Sequence, residues 1–199
     1  SWSAPACRAR LLSSYSLSRP GESPPSRCRE AVLADPIIVT ALLGAADFAW
    51  ADGLRRAHFP PERNQVPAHV TLFHHLPPSL LPELRTRMKQ ICAGPAPRAR
   101  LGDVLLLGQG VAYRIDSPDL AALRGELADA FTGLLTPQDQ AGFRPHLTVQ
   151  NKVEPRVARA LADRLRADFH PRPLAIAGLA AWHYRGGPWE LASETRFRG

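Results

Sequence analysis

Hydrophobic and polar positions alternate along residues 36–199 with the periods of short strands and amphipathic helices. Apolar runs rich in β-branched residues predict buried strands, and apolar residues spaced three and four apart predict helices. Strands are predicted at residues 37–43, 69–75, 101–107, 111–115, 146–150, 174–184 and 189–192. Helices are predicted at residues 45–57, 79–93 and 154–168, and in a segment that begins at Ser117-Pro118 and has an apolar stripe ending at Leu134.

Two of the strand pairs are predicted to be hairpins. One surrounds Gly108-Gln109-Gly110, and the other surrounds Gly186-Gly187-Pro188. Hairpins require antiparallel pairing, and the remaining strands and helices follow no strict βαβ alternation. The pattern therefore predicts an α+β fold.

Residues 1–35 lack this periodicity. They contain eight of the eleven serines and four prolines, and no apolar segment follows their arginines as a signal peptide would require. We expect a flexible or loosely packed N-terminal extension at residues 1–35, followed by one folded domain at residues 36–199.

Composition narrows the class of protein. The chain has 199 residues, is 45% hydrophobic and carries a net charge of +7, with arginine supplying 23 of its 25 cations. No apolar run approaches the roughly 20 residues of a membrane span, so no membrane association is expected. A basic chain permits a nucleic-acid or nucleotide partner without establishing one. The three cysteines form no C-x-x-C pair, so we expect a reduced, cytoplasmic protein and, by default, a monomer.

The most informative feature is a short repeat. Pro67-Ala68-His69-Val70-Thr71-Leu72 recurs as Arg144-Pro145-His146-Leu147-Thr148-Val149, with the two histidines 77 residues apart. A single H-x-T tripeptide arises often by chance. Two copies, each preceded by proline and each followed by a loop and a helix, are more specific.

Strand geometry groups the side chains of each copy. Residues i and i+2 of a strand point to the same side, so His69 shares a face with Thr71, and His146 shares one with Thr148. The same alternation adds further residues to this face, Phe73 and His75 in the first copy and Gln150 and Lys152 in the second, and sends His74 and Asn151 to the opposite face. If a pseudo-twofold relates the two halves, both pairs line one groove around a small anion.

These residues resemble the two-histidine (2H) phosphoesterase superfamily, in particular the bacterial 2'-5' RNA ligase and RNA 2',3'-cyclic phosphodiesterase (LigT-like) branch. The matching segments are residues 69–72 and 143–149, and residues 182–197 resemble the closing hairpin of that family. The resemblance covers roughly residues 36–199. It implies a bilobal α+β fold, in which two pseudo-symmetric antiparallel sheets backed by helices enclose a central cleft.

The resemblance also implies an activity: the opening of 2',3'-cyclic phosphate ends of RNA or nucleotides to 2'-phosphates. Histidine exchanges protons near neutral pH, so His69 and His146 are expected to be the acid–base pair, and Thr71 and Thr148 are expected to hold the phosphate. The alternatives are reversible 2'-5' RNA ligation or cleavage at the same site, and a non-catalytic module that binds RNA or nucleotides.

Other residues are weaker candidates for substrate binding, because side chains of these types are more often solvated or packed in a core. They are Phe73, His75, Arg144, Lys152, Tyr184 and Trp189. No H-E-x-x-H, Walker loop, G-x-G-x-x-G fingerprint or nucleotidyl-lysine pattern is present. We therefore expect neither a metal nor a cofactor.

Overall fold

A computed structural model describes residues 35–199 of the chain. The predicted N-terminal extension lies, apart from Asp35, outside the described residues. Within them the strands are β1 (Ile37–Leu43), β2 (Val70–Leu76), β3 (Ala99–Leu106), β4 (Val111–Asp116), β5 (His146–Gln150), β6 (Arg172–Leu174), β7 (Ile176–His183) and β8 (Glu190–Arg196). The helices are α1 (Ala45–His58), α2 (Leu81–Ile91), α3 (Pro118–Ala130), α4 (Pro137–Gln140) and α5 (Pro155–Ala167). No helix in this part of the chain is long and apolar enough to cross a membrane.

The strands form two four-stranded sheets. The first lobe contains the order β2-β1-β7-β8, and the second lobe contains β5-β4-β3-β6. Every neighbouring pair is antiparallel, including the predicted hairpins β3–β4 and β7–β8. The α+β class and the two-lobed arrangement are confirmed.

The two lobes repeat one connection. In the first lobe, β1 leads through α1 to β2, and in the second lobe, β4 leads through α3 and α4 to β5. In each case the returning strand pairs with the strand that precedes the helix and becomes the edge of its sheet. The two copies of the H-x-T motif therefore occupy equivalent edge strands.

The chain crosses between the lobes at Ala175. A single strand was predicted at residues 174–184, but β6 pairs in the second sheet and β7 in the first. Gly44 donates a backbone hydrogen bond of 2.8 Å to the Ala175 carbonyl. A Cβ at Gly44 would lie 2.8 Å from that of Ala175, so only glycine fits here without displacement.

Each sheet buries one face against helices. Leu84 and Met88 of α2 are fully buried, as are Leu120 and Leu127 of α3. Ser117 caps α3 as predicted, because its hydroxyl accepts a hydrogen bond of 3.0 Å from the Leu120 N–H. The apolar stripe predicted for this helix is too long, because α3 ends at Ala130 and Leu134 is exposed.

Candidate active site

Both motif histidines lie where the two edge strands begin. His146 is the first residue of β5, and His69 immediately precedes β2. β2 and β5 lie beside one another across the boundary between the lobes. The His146 side chain is close enough that its charge contributes to lowering the pKa of His69. The two motif strands therefore lie next to one another in the fold.

The two imidazoles are held in the same way. Nδ1 of His69 lies 2.7 Å from the carbonyl oxygen of Pro67, and Nδ1 of His146 lies 2.9 Å from that of Arg144. A carbonyl oxygen only accepts hydrogen bonds, so each Nδ1 carries the proton and donates it. In each neutral ring Nε2 is therefore the nitrogen with the free lone pair, and it can exchange a proton with a substrate.

The pKa of His69 differs from that of an exposed histidine. Burial lowers its pKa most, and the hydrogen bond to the Pro67 carbonyl opposes that effect. The charges of Arg55, His146 and His74 lower the pKa further, and the pKa of His69 falls to about 4. Its ring also packs against Trp189, with the two centroids 4.6 Å apart. His69 is consequently neutral at pH 7.

Cross-strand partners locate the threonines. Thr71 lies directly opposite Thr40 in the β1–β2 ladder, and Thr148 lies opposite Ala112 in the β4–β5 ladder. Residues directly opposite one another share a face of the sheet. Thr40 accepts a hydrogen bond of 2.9 Å from the Trp182 indole N–H, so Thr71 and Trp182 lie on one face of the first sheet.

A register shift follows the threonine in both motif strands and reverses the predicted alternation. Phe73 lies opposite Val39 rather than on the face of Thr71, and Gln150 lies opposite Val111 rather than on the face of Thr148. Phe73 is fully buried, and Gln150 is 4% exposed. The prediction that Phe73 contacts substrate is therefore wrong: a bulge, which two-residue periodicity does not reveal, turns its ring into the core.

A second irregularity in β2 directs two backbone N–H groups at one carboxylate. The N–H groups of His74 and His75 donate hydrogen bonds of 2.8 and 2.9 Å to the two carboxylate oxygens of Asp139 in α4. Burial raises the pKa of Asp139, but these bonds and the contact with the His74 ring outweigh it and hold that pKa below its usual value. Asp139 thus joins α4 of the second lobe to β2, the first motif strand.

Arg55 of α1 joins both motifs. Its guanidinium donates 3.0 Å hydrogen bonds to the carbonyl oxygens of Thr148, in the second motif, and Val66, in the loop before the first motif. It also donates to the Asn64 side chain at 2.8 Å. Arg55 is only 3% exposed, and burial lowers its pKa. Nothing in the local sequence pattern distinguishes Arg55 from the other helical arginines, so the sequence does not predict its role.

A cavity of about 320 Å³ opens beside His69. Its wall is mainly apolar and contains Trp189, which sequence reasoning proposed, together with residues that it did not: Leu42, Leu43, Ala45, Phe48, Trp182 and Arg196. Trp182 and Trp189 have their ring centroids 6.2 Å apart. The cavity is large enough for a flat ring next to the first histidine.

The remaining sequence candidates lie outside this cavity. They are exposed: His75, Arg144, Lys152 and Tyr184. Lys152 follows β5 in a left-handed conformation with φ of 61°. Arg144 supplies the carbonyl that orients His146, through its backbone rather than its guanidinium. Among residues 35–199 no three histidine, cysteine, aspartate or glutamate side chains are grouped to hold a metal ion.

Each lobe contains one antiparallel sheet, and each sheet has one H-x-T histidine at its edge strand. This arrangement defines the two-histidine phosphoesterase class. A family model described as the 2'-5' RNA ligase superfamily matches residues 44–188, and the chain belongs to that family. Membership supports an activity of the phosphodiesterase type. No curated protein matches the chain significantly in sequence.

Solved structures share the fold. TT0787 of Thermus thermophilus is 18% identical, with a TM-score of 0.57, over 82% of this chain and 98% of that one. LigT of E. coli complexed with 3'-AMP is 17% identical, with a TM-score of 0.51, over 83% and 99% of the respective chains. The complex of LigT with NADP+ has a TM-score of 0.50 at 17% identity over the same shares of the two chains.

Proposed function

We propose that the protein opens 2',3'-cyclic phosphate ends of RNA or nucleotides to 2'-phosphates by metal-independent acid–base catalysis, with His69 and His146 as the catalytic pair. One observation carries the proposal: both imidazoles donate Nδ1–H to the carbonyl two residues upstream, and so both keep Nε2 for the reaction. Two such groups on facing edge strands match the need for one proton acceptor and one proton donor.

The low pKa of His69 supports the role of proton acceptor for this residue and leaves the role of proton donor to His146. At pH 7 its neutral Nε2 accepts the proton of a water molecule as the water oxygen attacks phosphorus. The bond between phosphorus and O3' breaks, and a protonated His146 donates its Nε2 proton to the leaving oxygen. The product carries a 2'-phosphate and a free 3'-hydroxyl. His69 then releases its proton to solvent and His146 regains one, which restores the starting state.

Thr71 and Thr148 are proposed to bind the phosphate. Each threonine follows its histidine by two residues at the start of a motif strand, and each side chain is half-buried. Their hydroxyls would donate hydrogen bonds to the non-bridging oxygens as negative charge increases there. Two donors from opposite lobes hold the phosphorus between the histidines.

The cavity beside His69 is proposed to receive the base or ribose next to the reacting phosphate. Trp189 offers a flat face in contact with the His69 ring, and stacking on aromatic side chains tolerates any base. The LigT complexes with 3'-AMP and NADP+ support a nucleotide-sized ligand for this fold.

A second candidate reaction uses the same groups. If the 5'-hydroxyl of another RNA replaces water, His69 accepts its proton, O3' leaves with the proton of His146, and a 2'-5' phosphodiester forms. The description of the matching family supports this reaction as a second candidate, since it names 2'-5' RNA ligases. The reverse reaction is 2'-5' cleavage.

An assay run with and without EDTA separates these options. A 2',3'-cyclic mononucleotide and a short RNA ending in a cyclic phosphate are incubated with enzyme, with and without a second RNA bearing a 5'-hydroxyl. We expect a 2'-phosphate product. A 2'-5' linked product would favour ligation, tight binding without turnover would favour a binding module, and complete loss of activity with EDTA would overturn the metal-independent mechanism.

A further inference from the structure

The open face of the first sheet forms the floor of the cavity beside His69. Leu42 of β1 is paired with Gly178 of β7, and Gly178 is paired with Arg196 of β8. His69 precedes β2 and continues its register with β1, which places His69 beside Leu42. Paired residues share a face of the sheet. His69 and Arg196 therefore stand at the two ends of one row across the sheet, and both line the cavity.

The middle of this row carries little side chain. Gly178 has none, and a Cβ there would lie 2.4 Å from the Thr195 carbonyl oxygen, so β7 and β8 approach too closely for another residue. Ala180, two residues further on, adds only a methyl group to the same face. Three strand spacings separate the ends of the row by about 14 Å. With Trp182 and Trp189 in the wall, the cavity offers a planar ring a flat floor and aromatic sides.

Arg196 is the one permanently charged side chain among the described residues that line this cavity. Its Nε donates a 2.8 Å hydrogen bond to the carboxylate of Glu194, which lies two residues earlier on the same face of β8. Within residues 35–199, Glu194 is also its one ion-pair partner. Because Nε is engaged, the two Nη groups remain to bind a ligand as a rigid fork of N–H donors.

A fork of two donors discriminates between bases. Guanine presents two acceptors side by side, O6 and N7, and arginine bound to both is the commonest specific contact to a base. Adenine has an amino donor in place of O6, and this donor opposes the fork. A pyrimidine has no N7 and offers at most one acceptor on the corresponding edge.

We propose that Arg196 recognises the base of the nucleotide that reacts beside His69, and that the enzyme prefers guanine at this position. The proposal rests on the proposed function for the identity of the reacting group. Stacking on Trp189 tolerates every base, so the preference comes from the Arg196 fork and not from the aromatic rings. A second phosphate fits this end of the cavity less well, because the carboxylate of Glu194 repels it.

Binding is measured first, without turnover. Guanosine, adenosine, cytidine and uridine 2'-monophosphates are titrated by isothermal titration calorimetry with wild type, Arg196→Met and Arg196→Lys. We expect wild type to bind the guanosine nucleotide roughly 5- to 100-fold more tightly than the others, as one bidentate contact provides. Both variants should lose this preference, because lysine keeps the charge but has no fork. Equal or tighter binding of another base by wild type, or a preference that persists in Arg196→Lys, would overturn the proposal.

Arg198→Met is the matched control. Arg198 is exposed and lies two residues beyond Arg196, but it does not line the cavity. This variant should keep the guanine preference, and loss of the preference there would contradict the role of Arg196. Because the ion pair of Arg196 is exposed and contributes little to stability, thermal unfolding should show all three variants folded.

Turnover then links the base contact to the reaction. The four 2',3'-cyclic mononucleotides are compared, and the ratio of kcat/KM for the guanosine substrate to that for the uridine substrate should fall towards one in Arg196→Met. An equal loss on all four substrates would overturn the base contact. If wild type turns over all four equally well, the base preference fails and the proposed function stands. If it binds the guanosine nucleotide selectively but turns over none, the proposed function fails and the base preference stands.

Discussion

The guanidinium of Arg55 donates a 3.0 Å hydrogen bond to the carbonyl oxygen of Thr148, which joins the first helix of one lobe to the motif strand of the other. The same side chain holds the loop that leads to His69 through Val66. We predict that Arg55→Met lowers the free energy of unfolding by about 2–4 kcal/mol, because it leaves buried carbonyl oxygens without donors. The variant should also have a lower kcat/KM, because Arg55 no longer holds the loop before His69 and the strand of His146 in place.

Arg56→Met is the control for that variant. Arg56 is the next residue of α1, its guanidinium is exposed, and Asp52 is its one ion-pair partner within residues 35–199. Surface pairs of this kind contribute little, so its effect on urea unfolding should stay within about 0.5 kcal/mol. Equal stabilities of the two variants would contradict a joining role for Arg55.

Asp139→Asn should weaken the other connection between the lobes. The Asp139 carboxylate accepts the N–H groups of His74 and His75, and an amide retains only one oxygen to do so. The folded state lowers the pKa of Asp139, so this stabilisation is present above the unfolded pKa near 4 and is lost as pH falls through the folded pKa. The stability gap between wild type and variant in urea unfolding should therefore narrow below about pH 4. A gap of constant size from pH 7 to pH 3 would exclude the charge of Asp139 as its cause.

Trp189→Ala should shift the pH dependence of the reaction. Burial is the main cause of the low pKa of His69, and the Trp189 ring contributes to that burial. In wild type the acidic limb of kcat/KM is predicted near pH 4, and removal of the indole should move it up towards 6.5. Tyr184→Ala, at an exposed aromatic outside the cavity, should leave the limb in place. An unchanged limb in Trp189→Ala would refute His69 as the base.

Thr71→Val and Thr148→Val test the phosphate contacts. Valine keeps the shape of threonine and removes the hydroxyl, so each change should lower kcat by about 100-fold if the lost bond forms in the transition state. Thermal unfolding checks that the fold survives. If KM rises and kcat does not change, the hydroxyls bind the ground state and transition state equally, contrary to the proposed role.

Much of the fold could be predicted from periodicity and turn residues. The strand at residues 37–43 matches β1, and Ser117 caps α3 as its position before proline suggested. Repetition of the H-x-T motif located both edge strands. Local pattern is sufficient for such features, because each depends on residues close in sequence.

The remaining features depend on contacts between distant segments. The bulges that bury Phe73 and turn Gln150 to the helix side follow from how each edge strand pairs, and alternation alone assigns both residues to the wrong face. Arg55 and Asp139 contact strands 93 and 65 residues away in the chain, respectively. No sequence pattern relates residues at those separations, so the hydrogen bonds of Arg55 and Asp139 between the lobes cannot be predicted from the sequence.

The central claim is that His69 and His146 act as one acid–base pair. The most direct measurement is turnover of a 2',3'-cyclic mononucleotide in EDTA by His69→Ala, His146→Ala and the double variant, each confirmed as folded. Each single variant should lose about 10²–10⁴-fold in kcat, and the double variant should lose little more, because the two groups serve one step. Unchanged turnover in His146→Ala would contradict the account.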